Sequence, residues 1–168
     1  MVTSPKVEER IEGVGDTPVI RRAERLVVVV GFDGSQCAYR ALDASALLIS
    51  GRVGTVDIVF VAHMASAAEM SADAVAESMK AFDSAELMFV DAVRDRLADI
   101  ESRWRFQRRD GPVAQELIAV ADELSRDYGQ DAQVVIVVGS AMHTLHHIVG
   151  SVPVALVRRA KYPVVVVP

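Results

Sequence analysis

VVIVVGSAMHTLHHIVGSVPVALVRRAKYPVVVVP, residues 134–168, is the stretch that decides the fold. It predicts two buried strands, at 134–138 and 164–167, because both runs are apolar, β-branched and too short for a helix. Two Gly-Ser pairs, at 139–140 and 150–151, bracket the loop between them, and the second pair begins a predicted helix that extends to about residue 160. A glycine and a hydroxyl beside the free amides of a helix start suit a phosphate. The stretch therefore predicts an anion held at the carboxyl end of a parallel sheet.

The residues before this stretch alternate strands with helices. Strands are predicted at 26–30, 56–62 and, as a short piece, 104–107, with helices at about 35–50, 72–100 and from 111 onward. The third helix has a clear apolar stripe of Val113, Leu117, Val120, Ala121 and Leu124, whereas the second is assigned the stripe Val75, Met79, Phe82, Phe89, Val93, Leu97 and Ile100. Strands that alternate with helices predict βαβ units and a parallel sheet.

Composition and charge limit the class of protein. The chain has 168 residues, 51% of them hydrophobic and 5% aromatic, which predicts one globular domain with an aliphatic core. A net charge of −5 does not favour nucleic-acid binding, and we expect no membrane span and no signal peptide. The single Cys37 excludes an internal disulfide and fits the cytoplasm. Residues 1–24 are expected to form a mobile arm or a late-docking extension, and residues 25–168 the domain.

Several polar residues at the predicted sheet edge have both structural and functional interpretations. Asp33 could contact a ligand or stabilise the turn after the first strand, and Ser151 could bind a phosphate, cap its helix, or do both. We expect Cys37 to be a small buried residue rather than a reactive thiol. The histidines are open to roles as loop residues, phosphate donors, a pH sensor or metal ligands with Asp33, but no HExxH pair exists and we expect no metal site. They are His63, His143, His146 and His147.

The chain resembles the universal stress protein family over roughly residues 25–168. The resemblance is carried by LVVVVGFDGSQCAYRAL at 26–42, GPVAQELIAVADE at 111–123 and the closing stretch quoted above. It implies an α/β fold, a single five-stranded parallel sheet of order 3-2-1-4-5 with helices on both faces. It also implies a homodimer formed through the last strand and binding of ATP or a related adenine nucleotide, with Mg²⁺ left open as an accompanying ion.

The nucleotide motif of that family is a glycine, two residues, a glycine, nine residues, and then Gly-Ser or Gly-Thr. Gly139 matches the first glycine, but Met142 occupies the position of the second, and ten residues instead of twelve separate Gly139 from Gly150. A side chain at this position hinders close approach of the backbone to a phosphate. Branches of the family that bind no nucleotide also have short, glycine-poor loops. By resemblance, the nucleotide contacts are Asp33, Gly139, Ser140, Gly150, Ser151 and Val152.

The expected function is therefore that of a stress-response protein that binds an adenine nucleotide without efficient turnover. No GxxxxGK[ST] loop, GxSxG elbow or CxxC pair is present, and residues 139–151 contain no lysine or arginine. The main alternative is an interaction homodimer whose degenerate loop has lost the nucleotide, and a weak ATPase is a third. The dimer contacts are expected at Val164, Val165, Val166 and Val167, and the protein partner is unknown.

Overall fold

Five parallel strands form one sheet in the order β3-β2-β1-β4-β5, which is the predicted order. The structure is a computed structural model that describes residues 25–63, 70–98, 103–140 and 151–168. The strands are β1 (Arg25–Gly31), β2 (Gly54–Ala62), β3 (Arg103–Asp110), β4 (Ala132–Gly139) and β5 (Val164–Val167). The helices are α1 (Gln36–Ile49), α2 (Ala72–Arg96), α3 (Val113–Tyr128) and α4 (Ser151–Arg159), and a 3-10 turn, Gly129–Asp131, precedes β4. The predicted arm, residues 1–24, lies outside the described residues.

The sheet has a separate apolar core on each face. Successive side chains of a strand point to opposite faces, so Val28 and Val30 of β1 pack with α1 and α2. Val27 and Val29 pack with α3 and α4 on the other face. Burial of β1 on both sides explains its uninterrupted apolar sequence, which is typical of a central parallel strand.

Four strands are longer than their apolar runs predicted. β2 begins at Gly54 rather than after it, because the backbone there packs so closely on β1 that a Cβ would lie 2.1 Å from the Leu26 carbonyl oxygen. β3 extends over eight residues, although its sequence is rich in arginine. Its charged residues are accommodated because Arg105 and Arg108 form ion pairs with Asp57 and Asp83.

The second helix differs most from its prediction. α2 ends at Arg96, and residues 99–102 lie outside the described part. Of its predicted buried stripe, Val93 and Leu97 are buried, Phe89 is half-buried and Met79 is 38% exposed. Phe82 and Phe89 of this helix pack against Phe60 of β2, and Arg108 of β3 lies over the Phe82 ring. Among the described helices, none is long and apolar enough to cross a bilayer.

Candidate functional site

The junction after β1 forms a fixed turn that presents Asp33. One carboxylate oxygen of Asp33 accepts a hydrogen bond from the Ser35 amide at 2.9 Å, and the Ser35 hydroxyl accepts one from the Ala38 amide at 3.2 Å. Ser35 is therefore the N-cap of α1, as its extended backbone also shows. Asp33 stabilises the turn and remains exposed, so its structural and ligand-binding roles are compatible.

The end of β4 lies against the start of α1. A Cβ at Gly139 would lie 2.6 Å from the carbonyl carbon of Cys37, so only glycine allows this contact. The next residue, Ser140, is 6% exposed and donates its amide to the Val167 carbonyl oxygen at 2.7 Å. Its hydroxyl is buried and has no hydrogen-bond partner among the described residues. The close packing of α1 therefore explains why a glycine occupies position 139. Pairing of the end of β4 with β5 fixes the position of Ser140.

A cavity of about 200 Å³ opens between these two strand ends at the carboxyl edge of the sheet. Its rim includes Asp33, Ser35, Cys37 and Gly139. Its wall is apolar and comes from the strands β2 and β4 and the starts of two helices: Val59, Val61, Val113, Leu117, Val138 and Val152. Asp33 is the single charged residue among the described residues that line it. The site therefore combines an apolar slot with one carboxylate, at the place where parallel α/β sheets bind ligands.

The structure brings together three of the six predicted contact residues. Asp33, Gly139 and Val152 line the cavity, whereas the buried Ser140 lies beside it and is not part of its lining. Ser151 begins α4, next to the cavity residue Val152, and its side chain is not among those described. The other positions named from the sequence lie outside the described residues: Gly150, Met142, His143, His146 and His147.

The expectation that Cys37 is a buried hydrophobe is wrong. Cys37 is half-buried and lines the cavity, and its Sγ lies 3.1 Å from the Arg40 guanidinium. Within the first turn of α1, Cys37 faces the opening, whereas Ala38, and Ala41 one turn later, lie on the buried side of the helix. The sequence places Cys37 in a first helical turn at the sheet edge, but it does not show which way the side chain points.

His63 also has a structural partner. Its Nδ1 lies 3.0 Å from the Gly111 carbonyl oxygen, a hydrogen bond that joins the end of β2 to the turn before α3. His63 does not line the cavity. No group of three or more potential metal ligands occurs in the part of the chain that the structure describes.

Comparison with known proteins extends the resemblance seen in the sequence. The profile of the universal stress protein family matches residues 25–168. The fold is similar to that of universal stress protein UspA from Lactobacillus plantarum, with a TM-score of 0.69 and 17% identity over 85% of this chain and 97% of that one. No curated protein sequence matches the chain.

Two solved structures with similar folds contain an adenine nucleotide. A universal stress protein in complex with cAMP gives a TM-score of 0.62 and 26% identity over 85% of this chain and 97% of that one. A family protein from Arabidopsis thaliana with AMP bound gives a TM-score of 0.54 and 14% identity over 84% of this chain and 90% of that one.

Proposed function

Because this chain belongs to the universal stress protein family, we propose that it is a stress-response protein that binds an adenine nucleotide, ATP or a related one, at the carboxyl edge of its sheet. The observation that carries the proposal is the cavity between the ends of β1 and β4, with its apolar wall and the exposed Asp33 at its rim. The similarity to a structure that holds cAMP, at 26% identity, supports the same ligand class.

Each part of the cavity suits a different part of the nucleotide. Val59, Val61 and Leu117 offer an apolar surface of the kind on which a purine base packs. Asp33 offers carboxylate oxygens to ribose hydroxyls. The start of α4, at Ser151 and Val152, presents backbone amides to a phosphate, and the family pattern adds Gly150 to the proposed contacts.

We infer that bound nucleotide is held and not rapidly hydrolysed. Phosphoryl transfer needs charge stabilisation, a positioned water and usually a metal ion held by carboxylates. Among the described residues that line the cavity, Asp33 is the one carboxylate, and no lysine or arginine accompanies it. The nucleotide would then act by occupancy, altering residues 139–151 and the surface they offer to a protein partner.

Isothermal titration calorimetry with ATP, AMP and cAMP tests this proposal. Wild-type protein should bind at least one of them, and Asp33→Ala should weaken binding by about 10- to 150-fold, as expected for loss of a hydrogen bond to a charged group worth about 1.5–3 kcal/mol. Asp131→Ala removes an exposed carboxylate from the opposite edge of the sheet and is the matched control. Absence of heat with all three nucleotides, together with no nucleotide absorbance in denatured protein, would refute the proposal.

A second candidate function is an interaction homodimer that has lost the nucleotide. The cavity volume of about 200 Å³ favours it, because small-molecule sites usually enclose about 300–1,000 Å³. We propose in either case that the dimer forms through the edge strand β5, where Val164, Val165, Val166 and Val167 are all half-buried. On α4, Val154 is 38% and Val157 67% exposed, which adds apolar surface beside this edge.

Sedimentation equilibrium tests the dimer. Val157→Lys and Val166→Lys should each shift the protein toward monomer, because a lysine at the interface would be buried without a partner. Leu87→Lys is the control, since Leu87 is 71% exposed on α2 and far from β5 in the sheet order. An unchanged dimer in both α4 and β5 variants would rule out this interface.

A further inference from the structure

The strand β3 has a free edge and is strongly basic. It pairs with β2 on one side and is the last strand of the sheet in the part of the chain that the structure describes. Its sequence, RWRFQRRD, carries four arginines and one aspartate in a chain whose net charge is −5. Arginine on an edge strand hinders pairing with other proteins. The same arginines attract acidic side chains. This edge therefore favours pairing with an acidic strand over pairing with a neutral or basic one.

The two faces of β3 differ in chemistry. Trp104 and Phe106 are half-buried on the α2 side, where they pack against the core of that face. Arg103, Arg105 and Arg109 lie on the α3 side, because Arg105 pairs with Asp57 of β2 and Arg109 with Glu123 of α3.

The arginines on the α3 side retain capacity for a partner. The Arg105 side chain is still 59% exposed, although it pairs with Asp57. Arg103 is exposed and forms no ion pair with another described residue. A second strand along this edge would therefore meet exposed arginines on the α3 side. On the α2 side it would meet Trp104 and Phe106, with Arg108 already paired to Asp83.

Residues 7–12 of the arm, VEERIE, have the complementary pattern. In an extended strand, Val7, Glu9 and Ile11 share one face, and Glu8, Arg10 and Glu12 share the other. The segment contains three glutamates and one arginine. Val7 and Ile11 suit the aromatic side of β3, and Glu8 and Glu12 suit its arginine side.

The connection is long enough. Residues 13–24 join this segment to Arg25, the first residue of β1, and twelve extended residues span up to about 40 Å. The added strand would lie three strand spacings from β1, which is about 15 Å. An antiparallel strand turns its carboxyl end toward the edge of the sheet where β1 and β3 begin. With Glu12 opposite Arg105, Glu8 lies opposite Arg109.

We propose that residues 7–12 dock as an antiparallel strand on the free edge of β3, with Glu8 and Glu12 on its arginine face. The domain would then carry a sixth strand that closes one edge of the sheet, while β5 remains the other edge. This inference does not depend on nucleotide binding.

Amide hydrogen exchange, measured by NMR on the full chain, tests the docked strand. In a free edge strand, every second amide points away from β2 and exchanges quickly. In wild-type protein these outward amides of β3 should be protected, and in the double variant Glu8→Arg/Glu12→Arg they should exchange about tenfold faster or more, as expected when a locally stable element detaches. Glu77→Arg, which changes charge in the same way on the exposed side of α2, should leave them protected.

A charge exchange tests the direction of the strand. Arg105→Glu alone should make the outward amides exchange faster, and combining it with Glu12→Arg should restore their protection, because the antiparallel strand places these two residues opposite each other. Amides in the centre of β1 and β4 report whether each variant is folded. Equal exchange in wild type and Glu8→Arg/Glu12→Arg would overturn the proposal, and so would protection that rises with protein concentration, since that would place the arm on a neighbouring molecule.

Discussion

Replacement of Gly34 by alanine should destabilise the fold through one identifiable contact. Gly34 lies between Asp33 and Ser35 with a φ of 75°, and a Cβ at this position would lie 2.3 Å from the Phe89 ring. The ring cannot move aside freely, because its neighbours pack against it edge-on, with centroid distances of 5.4 Å to Phe32 and 5.2 Å to Phe60.

Two contributions determine how far Gly34→Ala lowers the free energy of unfolding. A left-handed backbone conformation costs an alanine about 1–2 kcal/mol relative to glycine. Forcing a methyl group into a packed aromatic cluster typically costs about 1–3 kcal/mol more. We therefore expect Gly34→Ala to lower the free energy of unfolding by about 2–5 kcal/mol, which a domain of ordinary stability, about 5–15 kcal/mol, can survive.

Gly51→Ala provides the matched control. Gly51 has a φ of 69°, but a Cβ there would have no heavy atom within 4 Å. The free energy of unfolding of Gly51→Ala should therefore fall only by the cost of the left-handed backbone conformation. Urea unfolding, followed by circular dichroism at equal protein concentrations, gives both values. If the two variants lose the same free energy to within about 0.5 kcal/mol, contact with Phe89 is not what requires glycine at position 34.

Three further outcomes follow from the site and its surroundings. Gly139→Ala should lower stability by about 1–3 kcal/mol even without nucleotide, because the new methyl group would meet the Cys37 backbone; a variant with wild-type urea midpoint would contradict this. Burial raises the pKa of Asp57, although Arg105 opposes the shift, so ionisation of this carboxylate destabilises the fold as pH rises from about 3.9 toward the higher native pKa. Asp57→Asn should remove that part of the pH dependence in urea titrations from pH 3 to 7, and an unchanged profile would count against it. Steady ATP turnover at about 1 s⁻¹ or faster that disappears in Asp33→Ala would make the protein an ATPase, whereas we expect bound nucleotide to persist for minutes with Mg²⁺.

The sheet was predictable because its central strands need almost nothing but apolar side chains. β1 and β4 are buried on both faces, so their valine runs identify them, and β5 was placed at its observed limits. β3 was predicted at half its length, since an edge strand that carries four arginines lacks a continuous apolar run. The stripe assigned to α2 was only partly buried, because helical periodicity does not reveal how much of a sheet lies beneath a helix.

The position of the cavity was predictable from the sequence, but its lining was not. The rule that ligands bind beyond the carboxyl ends of parallel strands predicted this edge, and the family resemblance named Asp33, Gly139 and Val152, which line one cavity there. The apolar wall was missed because residues such as Val59 and Leu117 have the same pattern whether they face a core or a cavity. Cys37 was misjudged for the opposite reason, since a small side chain in a first helical turn gives no indication of which way that turn faces.

Asp33 and Gly139 match the family pattern equally well, yet they carry different weight as indicators of function. The fold itself requires Gly139, because α1 packs on it at a distance that excludes any Cβ, so a glycine there is expected with or without a nucleotide. The fold does not require an aspartate at position 33: the hydrogen bond from the Ser35 amide could equally be accepted by asparagine, which forms the same turn. The carboxylate charge, left exposed at the rim of an apolar cavity, is therefore the feature that folding leaves unexplained. Asp33→Asn, which keeps the turn and removes the charge, separates the two roles more cleanly than alanine does: unchanged stability with weakened nucleotide binding is the result expected of a binding residue.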